Sequence, residues 1–196
     1  MSAQAAINVL WVAWYVTWIG AVIWSGKTKT QMKTDMVGPH RLLAGVGGMM
    51  VFLPSHGVWQ TQSVWTLLRT RLWETNPALD WTLFALTVGA FAFCWWARIH
   101  LGRLWSGFVT LKEDHHIVDT GPYGLVRHPI YAGVMAALLA TAFIRATPAA
   151  LIGWPLFALG FSMTARIEER FLRTELGAEA YDAYSRRVGM LIPRFG

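Results

Sequence analysis

Five long apolar runs alternate with polar, mostly basic connections along the chain. They are Asn8 to Ser25, Leu42 to Trp59, Trp81 to Ile99, Ile130 to Ile144 and Ala149 to Thr164. The first three are about 18–20 residues long, enough for a helix to cross about 30 Å of hydrocarbon. The last two are shorter, so they start below the headgroup layer or lean against neighbours. Only Arg145-Ala-Thr-Pro148 separates them, which predicts a tight helical hairpin. Thr147 is its expected N-cap, with Pro148 at the first helical position. Pro54 and Pro155 fall inside runs and are expected to kink their helices. Gly45, Gly47 and Gly48 leave room for a second helix to approach closely. The first run lacks a basic leader and a small-residue cleavage site, so it reads as a retained span, not a signal peptide. The pattern predicts an all-α, polytopic integral membrane protein with about five transmembrane helices. Residues 1–100 supply three spans, and residues 101–196 supply the hairpin and the cytoplasmic polar segments. There is no repeat of a solenoid type and no low-complexity segment.

The basic residues orient these spans. The first and third connections, with Arg98 at the edge of the third run, and the segment after the fifth run hold 14 of the 17 Lys and Arg, and the N-terminus holds none. The positive-inside rule therefore puts the N-terminus outside and the C-terminal segment in the cytoplasm. Composition agrees with a membrane location. Hydrophobic residues make up 55% of the chain and charged residues only 14%, against about 25% charged in a soluble domain. In a soluble protein the net charge of +6 would suggest nucleic acid. Here it flanks spans and meets anionic headgroups, so membrane lipids are the expected partner and nucleic acid is not. The single cysteine, Cys94, lies in an apolar run and excludes an intramolecular disulfide or a thiolate metal centre. No metal site is expected. No G-x-G-x-x-G follows a strand, so a Rossmann nucleotide site is unsupported.

Polar chemistry gathers in two cytoplasmic segments, His115 to Tyr131 before the hairpin and Arg166 to Arg194 after it. The hairpin brings them together in space. Thr120-Gly121-Pro122 is turn chemistry, and His128-Pro129 reads as a helix start. A helix N-terminus offers free backbone N–H groups to a negative ligand, with Arg127 and His128 beside it. The same two residues would also serve as plain headgroup anchors. In the second segment, Arg166 can face Glu169 three residues on, whereas Arg170 is too close in sequence to either acid to face it well. One of Glu168 and Glu169 is then left for a ligand amine or hydroxyl, unless the helix is simply a solvated one of mixed charge. Leu172, Leu176, Tyr181 and Tyr184 are placed to close over the site as a lid.

The chain resembles the isoprenylcysteine carboxyl methyltransferase family and the related phospholipid N-methyltransferase-like membrane enzymes, in a bacterial or archaeal form. The resemblance is carried by Leu101-Gly-Arg-Leu-Trp-Ser106, His115-His-Ile-Val-Asp-Thr-Gly-Pro-Tyr123 and Val126-Arg-His-Pro-Ile-Tyr-Ala-Gly133. Glu168-Glu-Arg-Phe-Leu172 and Leu176-Gly-Ala-Glu-Ala-Tyr181 with Tyr184 continue it, so that it runs from about Leu101 to Pro193. It implies S-adenosylmethionine as cofactor, bound at the cytoplasmic face. It implies that His115, Ile117, Val118, Gly121, Pro122 and Tyr123 line the cofactor pocket. Arg127, His128 and Tyr131 would hold the cofactor's polar end, and Glu168 or Glu169 would contact the cofactor or those basic groups. One departure stands out: where relatives read Val-Pro-Arg after the last tyrosine, this chain has Val188-Gly-Met190.

Methyl transfer needs a nucleophile aligned with the donor bond and shielded from water. A carboxylate acceptor requires only a positioning cation, Arg127 or Arg166. An amine or thiol must lose a proton, with Glu168, Glu169 or His128 assisting. The expected catalytic set is Arg127, Arg166 and Glu168. The expected partner is a lipophilic small molecule or a lipid-modified substrate. The setting expected is a bacterial or archaeal plasma membrane. Two other classes compete. A haem-binding electron carrier would use His100 and His128, with His56 towards the other face. A non-catalytic membrane scaffold would bind no S-adenosylmethionine.

Overall fold

The structure, a computed structural model, describes residues 1–31, 38–55, 63–74, 76–107, 110–112 and 116–194. His115, Lys33, His56 and the end of the second apolar run lie outside these residues. The described residues form eight α-helices and one short two-stranded ribbon. The helices are α1 (Ala3–Gly20), α2 (Pro39–Val51), α3 (Val64–Arg69), α4 (Pro77–Leu101), α5 (Pro122–Leu125), α6 (Pro129–Arg145), α7 (Pro148–Leu176) and α8 (Ala178–Arg187). The ribbon pairs β1 (Thr28–Gln31) antiparallel with β2 (Thr110–Lys112).

The three longest helices start on a side chain able to satisfy a free N–H group. Ser2 accepts from Ala5 N in α1, Asn76 from Leu79 N in α4, and Thr147 from Ala150 N in α7. Pro77 and Pro148 occupy first-turn positions, where no N–H is missed. The hairpin turn is two residues long and ends α6 at Ala146, whose backbone is left-handed at φ 55°.

With the short 3-10 turns that extend them, α1, α4 and α7 are long and apolar enough to cross a membrane. α6 is apolar and shorter. Val12, Val16 and Ile19 of α1, Leu86 of α4 and Leu159 of α7 face outward, half or more exposed. A lipid surround accounts for such outward apolar faces; water does not. The protein is an all-α integral membrane protein. The second run departs from expectation, because α2 is only 13 residues long and leaves helical geometry at Phe52. Pro54 therefore lies beyond the helix and does not kink it. The residue before a proline is pushed out of the α region, which favours ending the helix first. Pro155 does lie inside α7.

α2 runs antiparallel along α7, and α4 antiparallel along α6. Glycine makes the first pairing possible. A Cβ on Gly47 would lie 2.5 Å from the Gly153 carbonyl oxygen, and one on Gly160 2.5 Å from that of His40. The two backbones touch with nothing between them. The main core takes Ile7, Trp11 and Trp14 from α1, Phe91 and Cys94 from α4, Val134 and Leu138 from α6, and Phe157 from α7. It joins residues on both sides of position 100 in one body.

The bundle has two unlike ends. The ends of α1, α4 and α7 and the starts of α2 and α6 gather at one, together with the ribbon, α5 and α8. At the other, Arg145 Nη2 donates to Asn8 Oδ1 at 2.5 Å and Leu72 N donates to Ala146 O at 2.7 Å.

Candidate cofactor and acceptor site

The polar end is organised around the start of α6. Arg127 and His128 immediately precede its first residue, and the charged turns of α7 lie beyond its apolar stretch, which ends at Thr164. Arg127 Nε donates to Glu169 Oε1 at 2.7 Å. Its Nη1 donates to Ser185 O at 3.0 Å and also to Val188 O. His128 Nε2 lies 3.2 Å from Glu169 Oε1, and its Nδ1 lies 3.7 Å from Glu168 Oε2. Tyr131 OH donates to Glu168 Oε2 at 3.0 Å. The Tyr131 ring stacks on His128 at 5.3 Å and meets Phe161 edge-on at 5.0 Å.

Burial would raise the Glu169 carboxyl, but hydrogen bonds from His128 and Arg127 hold it well below the usual carboxylate range, at about 2. Burial also works against the Arg127 charge, and Glu169 more than restores it. The pair is therefore ionised at neutral pH. Burial pushes the Tyr123, Tyr181 and Tyr184 phenols up, so each stays a hydrogen-bond donor. Tyr184 OH uses its proton on Tyr123 O at 2.8 Å.

The strap after α8 closes this arrangement. Arg127 N donates to Gly189 O at 2.8 Å and His128 N to Met190 O at 3.0 Å. Val126 and Gly189 form a parallel bridge. The departure at Gly189-Met190 thus places two backbone carbonyls against the start of α6. The neighbouring arginines point elsewhere: Arg187 pairs with Asp119 at 2.9 Å, and Arg194 donates to Arg186 O.

Beside this network lies a cavity of about 110 Å³, open on one side to solvent. Arg127, His128, Tyr131 and Glu168 form its polar wall. Ile117, Val118, Leu172 and Leu176 form an apolar wall, and Tyr181 and Tyr184 of α8 close it. A second chamber, of about 680 Å³, opens between the helices. Trp11, Trp14 and Trp18 of α1, Met49 of α2 and Phe157 and Phe161 of α7 line it. Trp105, Ser106, Ile130 and Tyr131 line both spaces, so the two meet at one wall. Trp105 is braced from beneath. The fully buried Arg98 guanidinium sits 4.6 Å from the Trp105 ring and 4.9 Å from the Trp24 ring. Its Nη1 and Nη2 donate to Gly102 O and Ala21 O at 2.6 and 2.7 Å. Every described donor of that guanidinium that bonds does so to backbone, and the two indoles cover its faces.

The structure brings Ile117, Val118, Tyr123, Arg127, His128, Tyr131 and Glu168 to the first cavity. Glu169 reaches it only through Arg127 and His128. Gly121 and Pro122 do not line it: Pro122 is buried, and Gly121, at φ 56°, packs against His100, which a Cβ there would approach to 2.8 Å. Arg166 is exposed and lines neither space. The expected Arg166–Glu169 pairing does not form, because α7 turns Glu169 inward to Arg127 and leaves Arg166 and Arg170 outside. The two histidines considered for haem are engaged within the chain, His128 by the glutamates and His100 Nε2 by Thr120 Oγ1 at 2.9 Å. Among the described residues no group of three His, Cys, Asp or Glu side chains could hold a metal ion. Sequence reasoning missed the wall at Trp105 and Ser106 and the Arg98 brace. The Leu101-to-Ser106 motif was the available signal for the wall; an arginine closing an apolar run was the signal for the brace.

Fold and site together define a helical integral membrane protein with a polar cavity at one end of the bundle, separated by a shared wall from an apolar chamber between the helices. Over residues 83–174 the chain matches the model of the isoprenylcysteine carboxyl methyltransferase (ICMT) family. This match begins within α4, earlier than the motifs suggest, and stops before α8. The chain is 42% identical over 160 residues to Methanethiol S-methyltransferase 2 of Bradyrhizobium diazoefficiens, covering 66% of this chain and 52% of that protein. It is 35% identical over 96 residues to Protein-S-isoprenylcysteine O-methyltransferase of Saccharomyces cerevisiae, covering 47% of this chain and 39% of that protein. It is also 27% identical over 151 residues to the cobalt-zinc-cadmium resistance protein CzcN of Cupriavidus metallidurans, covering 73% of this chain and 66% of that protein. The chain thus spans 39% to 66% of the length of these relatives.

Proposed function

We propose that the protein is an S-adenosylmethionine-dependent methyltransferase acting on a lipophilic acceptor at the cytoplasmic face of a bacterial or archaeal plasma membrane. The observation that carries this reading is the shared wall: a polar cavity and an apolar chamber meet at Trp105, Ser106, Ile130 and Tyr131. The family match over residues 83–174 and two relatives named as methyltransferases support it. The clustering of basic residues at the site end supports a cytoplasmic site.

The residues present fit such a cofactor. Glu168 faces the cavity with its carboxylate and suits an ammonium or a ribose hydroxyl. Ile117, Val118, Leu172 and Tyr181 suit a flat heterocycle. The cofactor supplies an already activated methyl group on a sulfonium. The chain's own task is positioning and exclusion of water. Tyr181 and Tyr184 cover the cavity, Arg127 pins the C-terminal end of α8, and the chamber presents an apolar acceptor to the shared wall. Arg127 acts in this reading as a positioning residue, because its Nε and Nη1 are taken by Glu169 and the carbonyls of Ser185 and Val188.

The test is calorimetric titration of S-adenosylhomocysteine into detergent-purified protein. Micromolar binding, lost in Arg127→Ala/His128→Ala and weakened in Glu168→Gln, supports the reading. Absence of binding to well-folded protein overturns it. Methylation of water-soluble acceptors alone would remove the lipophilic acceptor. The relatives' names divide between an O-acceptor and an S-acceptor.

A further inference from the structure

The α4–α6 pair carries a third space on its outer face, apart from the cavity and the chamber. It is an apolar groove of about 740 Å³, and no polar side chain lines it among the described residues. Small residues keep it deep: Ala85 and Gly89 of α4, and Ala132, Ala136 and Ala140 of α6. The two helices approach closely because Gly133 has no side chain. A Cβ there would lie 2.5 Å from the Cys94 sulfur and 2.9 Å from the Ala90 carbonyl oxygen. Ala85, Gly89 and Ala136 are exposed, so in a membrane this groove faces lipid.

The length of the groove is informative. On α6 it runs from Ala132 to Phe143, a rise of about 16 Å at about 1.5 Å per residue. Half of a hydrocarbon core about 30 Å thick is nearly the same. The groove therefore matches one leaflet. Leu125, Leu191 and Pro193 complete it at the end of the bundle that holds the polar cavity.

Charge gathers at that same end. Arg194 follows Pro193 and donates to Arg186 O at 2.7 Å, which brings the last turn of α8 to the groove's mouth. Both arginines are exposed. Nearby Arg173 and Arg187 are taken by Asp182 and Asp119, whereas Arg186 and Arg194 form no ion pair among the described residues. An apolar groove one leaflet deep, with free cations at its headgroup end, complements a phospholipid of negative charge. A second copy of the chain fits less well. Two-fold pairing through this face would set the same arginines against each other.

We propose that the groove binds one acyl chain of an anionic phospholipid in the leaflet on the cavity's side, with the lipid phosphate held by Arg186 and Arg194. The bound lipid braces the strap. Leu191 and Pro193 line the groove, while the Gly189 and Met190 carbonyls of the same strap take the Arg127 and His128 N–H groups at 2.8 and 3.0 Å. A lipid in the groove thus steadies the start of α6, on which the polar wall of the cavity is built. This site stands whether or not the protein transfers methyl groups, and its test needs neither cofactor nor acceptor.

Native mass spectrometry of the full chain, released from detergent with equal phosphatidylglycerol and phosphatidylcholine present, reads the site directly. One phosphatidylglycerol is expected to be retained, at least about fivefold in preference to phosphatidylcholine. Arg186→Gln/Arg194→Gln should lose that preference. Gly89→Leu should lose retention of both lipids. A Cβ at Gly89 meets nothing within 4 Å, so the bundle accommodates the new side chain. Ala136→Leu fills the same groove and serves as the second variant should Gly89→Leu misfold. Hydrogen exchange reads the brace. In nanodiscs about one-fifth phosphatidylglycerol, the amides of Arg127 and His128 should exchange at least about threefold more slowly than in pure phosphatidylcholine. Gly89→Leu should abolish that difference. Equal retention of the two lipids, a wild-type preference in the arginine variant or wild-type retention in the groove variants overturns the site. A dimer that Gly89→Leu dissociates also overturns it, and gives the groove to a second copy. Unchanged exchange at residues 127 and 128 overturns the brace.

Discussion

Helix α6 has an arginine at each end, Arg127 half-buried and Arg145 buried, and the two are held differently. Arg127, two residues before the helix, pairs with the Glu169 carboxylate and donates to carbonyls at the end of α8. Arg145 closes the helix, donates to the neutral amide of Asn8 and lies 5.9 Å from the Phe52 ring. A cation at a helix C-terminus suits the macrodipole without needing a carboxylate. Arg127, at the wrong end of the dipole for a cation, needs Glu169. The contrast separates two uses of charge. One holds an element that is not part of the bundle; the other finishes the bundle itself.

Substitutions sharpen that contrast. The largest effect is expected for Arg127→Ala, which strands the Glu169 charge in a largely buried place. Breaking such a pair costs about 3–5 kcal/mol. Thermal unfolding should show the loss of stability, and calorimetry the loss of S-adenosylhomocysteine binding. Gly153→Val comes next, because its side chain would meet the Gly47 carbonyl and Met50 across the α2–α7 contact. Overpacking of this kind costs about 1–3 kcal/mol. Unlike Arg127→Ala, it should lower the melting temperature while the folded fraction still binds cofactor. Arg145→Met should cost about 1 kcal/mol or less and leave S-adenosylhomocysteine affinity unchanged. An equal loss of affinity in Arg145→Met and Arg127→Ala would break the comparison.

The smallest effect expected is a pH dependence. The Glu169 carboxyl titrates lower folded than unfolded, where a glutamate has a pKa of about 4.3. Its stabilising contribution is therefore complete above that unfolded value and is lost as pH falls towards about 2. Melting temperature should drop on acidification through this window in the wild type, and less steeply in Glu169→Gln. No matching difference is expected for Arg145→Met.

Much of the fold was legible locally. Thr147-Pro148 marks the hairpin because a cap and a first-turn proline act within one turn of helix. His128-Pro129 marks the start of α6 for the same reason. The motif segments also brought Arg127, His128, Tyr131 and Glu168 to one place, because the tight turn folds α7 back along α6 and returns its charged turns to the start of α6. What the sequence hid was long-range. Glu169 meets Arg127 across 42 positions, and the choice between that partner and nearby Arg166 depends on how α7 is rotated against α6. Arg98 closing an apolar run signals a brace, but nothing near it in sequence indicates that the distant Trp24 will be one of its partners. Apolar character continued past Val51 to Trp59, while the helix itself stopped at Val51 because Pro54 acts through backbone geometry and not through hydropathy.

The strap at Gly189-Met190 has a consequence for how the protein is made. The apolar helices leave the ribosome first and can pack as they enter the bilayer. Arg127 and His128 receive their carbonyl partners only when residues 185–190 have followed. A nascent chain is therefore a membrane-inserted bundle before it is a binding site. Quality control that senses insertion would pass a chain stopped after α7, and only a ligand would reveal it as unfinished.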